Sequence, residues 1–142
     1  MRPPGRPKGE YRSAQHGGFP MNPHDHDRYA ERIERTLAKL AGDDYELLIE
    51  GAMLAAAHRL NGHLHRLGMT PPNQDLIHTY LLTINEYRRL GVADGDSMKA
   101  LAAIEDLRPA FVRGDHPGGA EAARQALQLL ATVRGRTQTS QT

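Results

Sequence analysis

Apolar residues recur three or four positions apart along this chain, in stretches opened by capping residues and closed by glycine. That pattern constrains the fold more than any other feature. Asn22-Pro23 reads as an N-cap with proline at the first helical position, and Tyr29, Ile33, Leu37 and Leu40 follow at helical spacing up to Gly42. Asp43 or Asp44 caps a second stretch that runs to about Leu67 before Gly68. Thr70-Pro71 repeats the cap-then-proline device for a third stretch, which Gly91 closes. Asp94 or Asp96 opens a fourth with Met98, Leu101, Ile104 and Leu107, and Arg108-Pro109 breaks or kinks it. Pro117 to Val133 forms a fifth, with Ala120, Ala123, Leu127 and Leu130 as its stripe. No alternating run of β-branched residues and no hairpin turn signal competes with this pattern. The expectation is therefore all-α: an antiparallel four- to five-helix bundle joined by short connections.

Length and composition set the scale of the core. The 142 residues suit one domain that buries roughly two-thirds of its extended surface. With no Trp and only two Phe, the interior must be built from Leu, Ile, Met and Ala. The chain has no cysteine, which excludes disulfides, cysteine-ligated zinc, iron–sulfur clusters and a thiol nucleophile. No apolar run approaches the ~18 residues of a membrane span, and no apolar stretch follows the charged start as in a secretory signal. A cytoplasmic protein with no membrane partner is expected.

The formal net charge of +1 is a cancellation. Residues 1–20 carry Arg2, Arg6, Lys8 and Arg12 against Glu10 alone, whereas residues 21–133 hold 12 basic and 16 acidic side chains. The first stretch has four prolines, four glycines and no apolar periodicity, so a disordered basic N-terminal arm is expected over 1–21. The bundle then occupies 22–134, and 135–142 is a polar tail. In the arm, the cations can supply salt-dependent affinity for phosphates while Tyr11 stacks on a base. Gly5-Arg6-Pro7-Lys8 resembles half of an AT-hook, with Pro4 where that motif has its first arginine. A solubilising tail is the plainer reading of the same residues.

The polar sides of the second and third stretches are unusual. Opposite the apolar arc of the second fall Glu50, His58, Asn61 and His65; on the third, read as a helix, Asp75, His78, Asn85 and Arg89 share one side. Lys and Glu are the usual choices for a solvated face, and Leu47 and Leu54 interrupt this one. Three readings stay open: plain surface, a second interface such as a homodimer seam or ligand groove, and a chemical site. Glu50, His58, Asn61, His78, Asn85 and Arg89 are the candidate binding face.

Spacing along single helices offers no metal set. His58 and His65 stand two turns apart, about 10 Å, too far to share an ion directly. Asp75 and His78 form the only well-spaced pair that involves a histidine of a core helix, and no Glu-x-x-His is present for a di-iron site. His24-Asp25-His26-Asp27 could bind a loose divalent ion, but reads first as decoration of a first helical turn, where acids suit the dipole. No metal and no cofactor are expected. Phosphate-binding loops, dinucleotide fingerprints, Gly-x-Ser-x-Gly and His-Glu-x-x-His are missing from the sequence.

The Ala-rich stretch Tyr45 to Arg66, with Leu-Ala-Ala-Ala-His-Arg-Leu-Asn-Gly-His-Leu-His-Arg at its end, resembles helices of the HEPN superfamily (higher-eukaryote and prokaryote nucleotide-binding domains). The resemblance implies a small, generally dimeric helical bundle that is either a metal-independent ribonuclease or an inactive binding module. Arg59-Leu-Asn-Gly-His-Leu-His65 matches the family's Arg, four to six residues, His pattern. By that resemblance His65 would transfer a proton and Arg59 would hold the phosphate. The expected function is thus a nucleic-acid-associated module, RNA or DNA, with a homodimeric state. The alternative is a non-enzymatic regulatory protein that docks a protein partner through its bundle and nucleic acid through its arm.

Overall fold

The computed structural model describes residues 21–138. Apart from Met21, the expected basic arm lies outside the described residues, as do 139–142 of the polar tail. Four helices make up the bundle: α1, Pro23–Leu37; α2, Tyr45–Arg66; α3, Ile84–Asp106; and α4, Gly119–Thr137. A 3₁₀ turn at Thr79–Leu81 and a π-helical turn at Pro109–Arg113 lie in the connections. No strand occurs among the described residues, so the chain is an all-α antiparallel bundle.

Local chemistry accounts for most boundaries. The Asn22 side chain accepts a hydrogen bond from the Asp25 N–H at 2.9 Å, and Pro23 occupies the first turn of α1. That helix ends at Leu37, ahead of Gly42, because Lys39 and Leu40 donate to carbonyls three residues back and tighten the chain into a turn. Asp44 precedes α2, but its carboxylate turns backward and accepts from the Ala41 N–H at 2.9 Å. Gly118 enters α4 with φ +100°, a conformation that glycine adopts without strain. Beyond Val133, α4 continues through Thr137, three residues into the stretch read as polar tail.

The central element is α2, which packs against α1, α3, α4 and the π-helical turn. It is buried around most of its circumference, with Ile49, Ala52, Ala56, Leu60 and Leu64 in the core alongside Met98, Leu101 and Ile104 of α3. Alanines on α2 allow these close approaches, as the poverty in aromatics requires. Among the described residues, no helix is long and apolar enough to cross a membrane.

Two expectations need correction. The third stretch is not a helix from Thr70 to Gly91: residues 71–78 run as turn and extended chain, and α3 starts at Ile84. Its start is set by a capping box, in which Thr83 accepts from the Glu86 N–H at 3.1 Å and Glu86 accepts from the Thr83 N–H at 2.9 Å. Upstream, tertiary partners replace helical hydrogen bonds. The Asn61 side chain accepts from the Leu76 N–H and donates to the Leu76 carbonyl, both at 2.7 Å, and buried Glu105 accepts from the Thr79 N–H at 2.9 Å. Gly91 also does not end a helix. The expected third and fourth helices form one kinked helix, with a non-helical residue at Asp94. Asp94 still caps the second half of that helix, accepting from the Ser97 N–H at 3.2 Å and its hydroxyl at 2.7 Å.

Candidate functional site

The side chains of three chain segments converge where α1 crosses α2. His26 sits one turn into α1 and, with Ala30 and Leu37, belongs to that helix's buried stripe. His58 and His65 lie two turns apart on α2, and Gly62 stands between them. A Cβ on Gly62 would come within 3.2 Å of the Pro23 carbonyl and 3.3 Å of the His26 Cβ, so the missing side chain lets α1 approach. His26 therefore enters the gap that two turns of helix leave between His58 and His65. The third segment is the extended connection, pinned at Leu76 by Asn61, which delivers Asp75.

The contacts form a continuous chain. One Asp75 carboxylate oxygen, Oδ1, lies 3.0 Å from His26 Nε2 and 2.8 Å from His65 Nε2. His26 Nδ1 is 3.0 Å from His58 Nδ1. His65 Nδ1 faces the Thr70 carbonyl at 3.1 Å and the Thr70 hydroxyl at 2.8 Å. The Tyr29 ring stacks on His58, with centroids 5.5 Å apart. The His26 and His65 side chains are each 1% exposed, whereas Asp75 is 20% exposed.

Electrostatics follow from that burial. Burial raises the Asp75 carboxyl pKa, but hydrogen bonds from His26 and His65 outweigh it and hold the group well below the usual carboxylate range. Burial, and then the neighbouring His26, push His58 down to about 4, against a smaller opposing pull from Asp75. His58 is thus neutral at pH 7 and presents one donor and one acceptor nitrogen.

Above the cluster opens an apolar groove of about 330 Å³, lined by His26, His58, Asn61, Asp75 and His78 together with Leu54, Ile77 and other apolar residues. Of the six residues proposed as a binding face, His58, Asn61 and His78 share this groove. His78 also faces Glu105 at 3.0 Å and stacks on Tyr80. The other three lie apart from it. Glu50 pairs with Arg108 at 2.5 Å, Arg89 donates to the Met69 carbonyl at 2.7 Å, and Asn85 is exposed in the first turn of α3. Asp75 and His78 do not share a helix face: Asp75 turns to His26 and His65, and His78 turns to Glu105.

The two residues of the Arg-to-His motif have different partners. Arg59 is 3% exposed and forms a bidentate pair with Glu34, Nε to Oε2 at 2.9 Å and Nη2 to Oε1 at 2.8 Å. His65 turns instead to Asp75 and Thr70. Arg2, Arg6, Lys8, Tyr11 and Arg12 lie outside the described residues.

Two members of the cluster escape single-helix reasoning. His26 carries a legible signal, since His26, Ala30, Ile33 and Leu37 recur at i, i+4, i+7 and i+11, a core-facing stripe. Asp75 carries none, because an extended connection places it. Among the described residues, His26, His65 and Asp75 are the group whose donor atoms, all within 4.8 Å of one another, can hold a metal ion. The chemistry open to the arrangement is therefore proton transfer between imidazoles through a carboxylate, or ligation of a cation. No family model, curated protein or solved structure matches the chain.

Proposed function

We propose that this chain is a HEPN-like helical-bundle module that binds nucleic acid in the cytoplasm through the outer face of α1 and the basic arm preceding it. The observation that carries the reading is a concave surface of α1 with exposed Arg28, Arg32 and Arg35 beside Tyr29 and Met21. Arg32 lies 5.0 Å over the Tyr29 ring, a cation held against an aromatic face. Asp25 and Glu31 share the surface, and Asp25 engages Arg28 at 3.5 Å. Phosphates suit the arginines, and a base suits the Tyr29 face that Arg32 covers once the guanidinium turns to a phosphate. The same tyrosine stacks on His58, so a bound strand would run past the histidine cluster. The ribonuclease form of this reading gives His65 the proton transfer. Its phosphate-binding cation is drawn more readily from α1 than from Arg59, which Glu34 already neutralises.

The test is anisotropy with single-stranded RNA and DNA oligonucleotides between 50 and 200 mM salt. Replacing Arg28, Arg32 and Arg35 together with Ala should weaken binding by at least about tenfold. The salt slope should fall by roughly 0.7 for each phosphate that the variant no longer neutralises. Unchanged affinity and slope would remove α1 from the interface. Changing Arg2, Arg6, Lys8 and Arg12 to Gln in the full chain tests the arm in the same way. Cleavage of RNA that survives His65→Ala would end the ribonuclease reading.

A second reading rests on a different surface. Leu47 and Leu54 on α2 are 62% and 48% exposed, beside a groove of about 410 Å³ that Ile33, Leu37, Leu40 and Met53 also line. Exposed leucines grouped in this way suit a homodimer seam or a protein partner. Leu54→Glu should convert a dimer to a monomer in sedimentation. An unchanged mass would leave the face as plain surface.

A further inference from the structure

We propose that His26 Nε2, His65 Nε2 and Asp75 Oδ1 form a binding site for a divalent transition-metal ion of the zinc type, oriented by His58 and Thr70 and open toward the groove. This inference is independent of nucleic-acid binding by α1 and excludes the ribonuclease form, because a ligating His65 keeps no nitrogen free for proton transfer. The donor set is two imidazoles and one carboxylate from three chain segments. Their 2.8 and 3.0 Å nitrogen–oxygen separations approach the ligand–ligand edge of about 3.3 Å around tetrahedral zinc with bonds of ~2.0–2.1 Å. Small side-chain rotations supply the difference.

The far nitrogen of each ring is held as well. A ligating imidazole needs an acceptor for its other N–H, which fixes its tautomer and orientation. Both rings have one. His65 Nδ1 faces the Thr70 carbonyl at 3.1 Å, and His26 Nδ1 faces His58 Nδ1 at 3.0 Å. The Thr70 hydroxyl, 2.8 Å from His65 Nδ1, can donate to that nitrogen, and His65 Nε2 then donates to Asp75 when no ion is bound. The Thr70 carbonyl accepts the proton on Nδ1 in the other tautomer, which frees the Nε2 lone pair for an ion. With an ion at the centre, His26 also donates from Nδ1 to His58. Both rings stay neutral, and each of these nitrogens has a partner.

Access and coordination number follow from the same geometry. His26 and Asp75 line the groove, which leaves a position for water or a ligand donor beyond the three protein ligands. Three protein ligands with one open position is the composition of zinc sites that act on substrates, whereas structural zinc sites are closed by four. The apolar groove walls, Leu54 and Ile77 among them, would hold the organic part of such a ligand.

The experiment titrates the full chain, first stripped with chelator and dialysed, with Zn²⁺ by calorimetry. Long-range ¹H–¹⁵N spectra of the histidine rings are recorded alongside. One ion per chain is expected, with the Nε2 resonances of His26 and His65 shifted and those of His24 and His116 unchanged. His65→Gln and Asp75→Asn should each weaken zinc binding by at least about tenfold; His58→Phe should weaken it about tenfold with the stoichiometry kept. His24→Gln should leave binding unchanged. The ring spectra need no variant, so they decide the matter even if a substituted chain fails to fold. Three outcomes overturn the proposal: no stoichiometric uptake, uptake that shifts His24 in place of His26 and His65, or ring spectra that show a proton-only network unaffected by zinc.

Discussion

Asp94 joins three helices through one buried carboxylate. It caps the second half of α3 at Ser97, accepts from Arg136 Nε of α4 at 2.7 Å and lies 3.6 Å from His63 Nε2 of α2. Burial raises its pKa, but the hydrogen bonds from Ser97 and Arg136 prevail and hold it below the ordinary carboxylate value. The groups facing it are His63 and Arg136, with Asp96 on the far side of Arg136 at 3.2 Å. A depressed carboxylate stabilises the fold above its unfolded-state pKa of about 3.9, and that stabilisation is lost as pH falls through the folded-state value. Asp94→Asn should therefore lower the melting temperature at neutral pH and flatten the decline below about pH 4, read from thermal melts between pH 2 and 7. Parallel acid limbs in the two proteins would show that Asp94 does not carry the effect. The cap itself is legible in the sequence, because an aspartate three residues before Ser97 announces a helix start. Its ionic partners are not, since His63 and Arg136 come from helices whose approach no local pattern encodes. Arg59 behaves in the same way: the motif around it reads as catalytic, yet Glu34, 25 residues upstream, takes up its guanidinium.

Among elements, the crossing of α1 over α2 decides whether there is a site. Gly62 allows the close approach, and its replacement sets two effects against each other. Alanine favours the helix by about 0.8–1 kcal/mol, but its Cβ presses on Pro23 and His26. Gly62→Ala should leave the melting temperature no higher than that of the parent chain and shift the His26 and His58 ring resonances. A stabilised variant with unaltered rings would show that α1 yields freely. Helix existence and caps are strongly local, which explains why Asn22-Pro23 located the start of α1. The start of α3 is equally local in Thr83-Ile84-Asn85-Glu86, a capping box that outcompetes the Thr70-Pro71 signal because the chain after Pro71 has better partners elsewhere. Those partners, Asn61 and Glu105, are distant in sequence, so the extended stretch and the cargo it carries, Asp75 and His78, could not be read locally.

For the whole molecule, the 70–83 connection behaves as a separate layer laid on the bundle. It is attached by Asn61 at Leu76, by His26 and His65 at Asp75, and by Glu105 at His78 and Thr79. Asn61→Ala removes the first attachment and leaves the buried Leu76 amide without its acceptor, at a cost of about 1–3 kcal/mol. Hydrogen exchange should then quicken at Leu76 and Thr79 while the core of α2 and α4 stays protected. Uniform acceleration across the chain would mean that the connection and the bundle open together. The sequence by itself determined the all-α class, most helix starts and the apolar core, because capping and 3.6-residue periodicity act within a few positions of the chain. Only the tertiary structure decided that Arg59 is neutralised, that α3 is one kinked helix, and that His26, His65 and Asp75 meet. Those outcomes depend on where α1 and an extended connection lie against α2, and that placement is fixed by contacts between residues tens of positions apart.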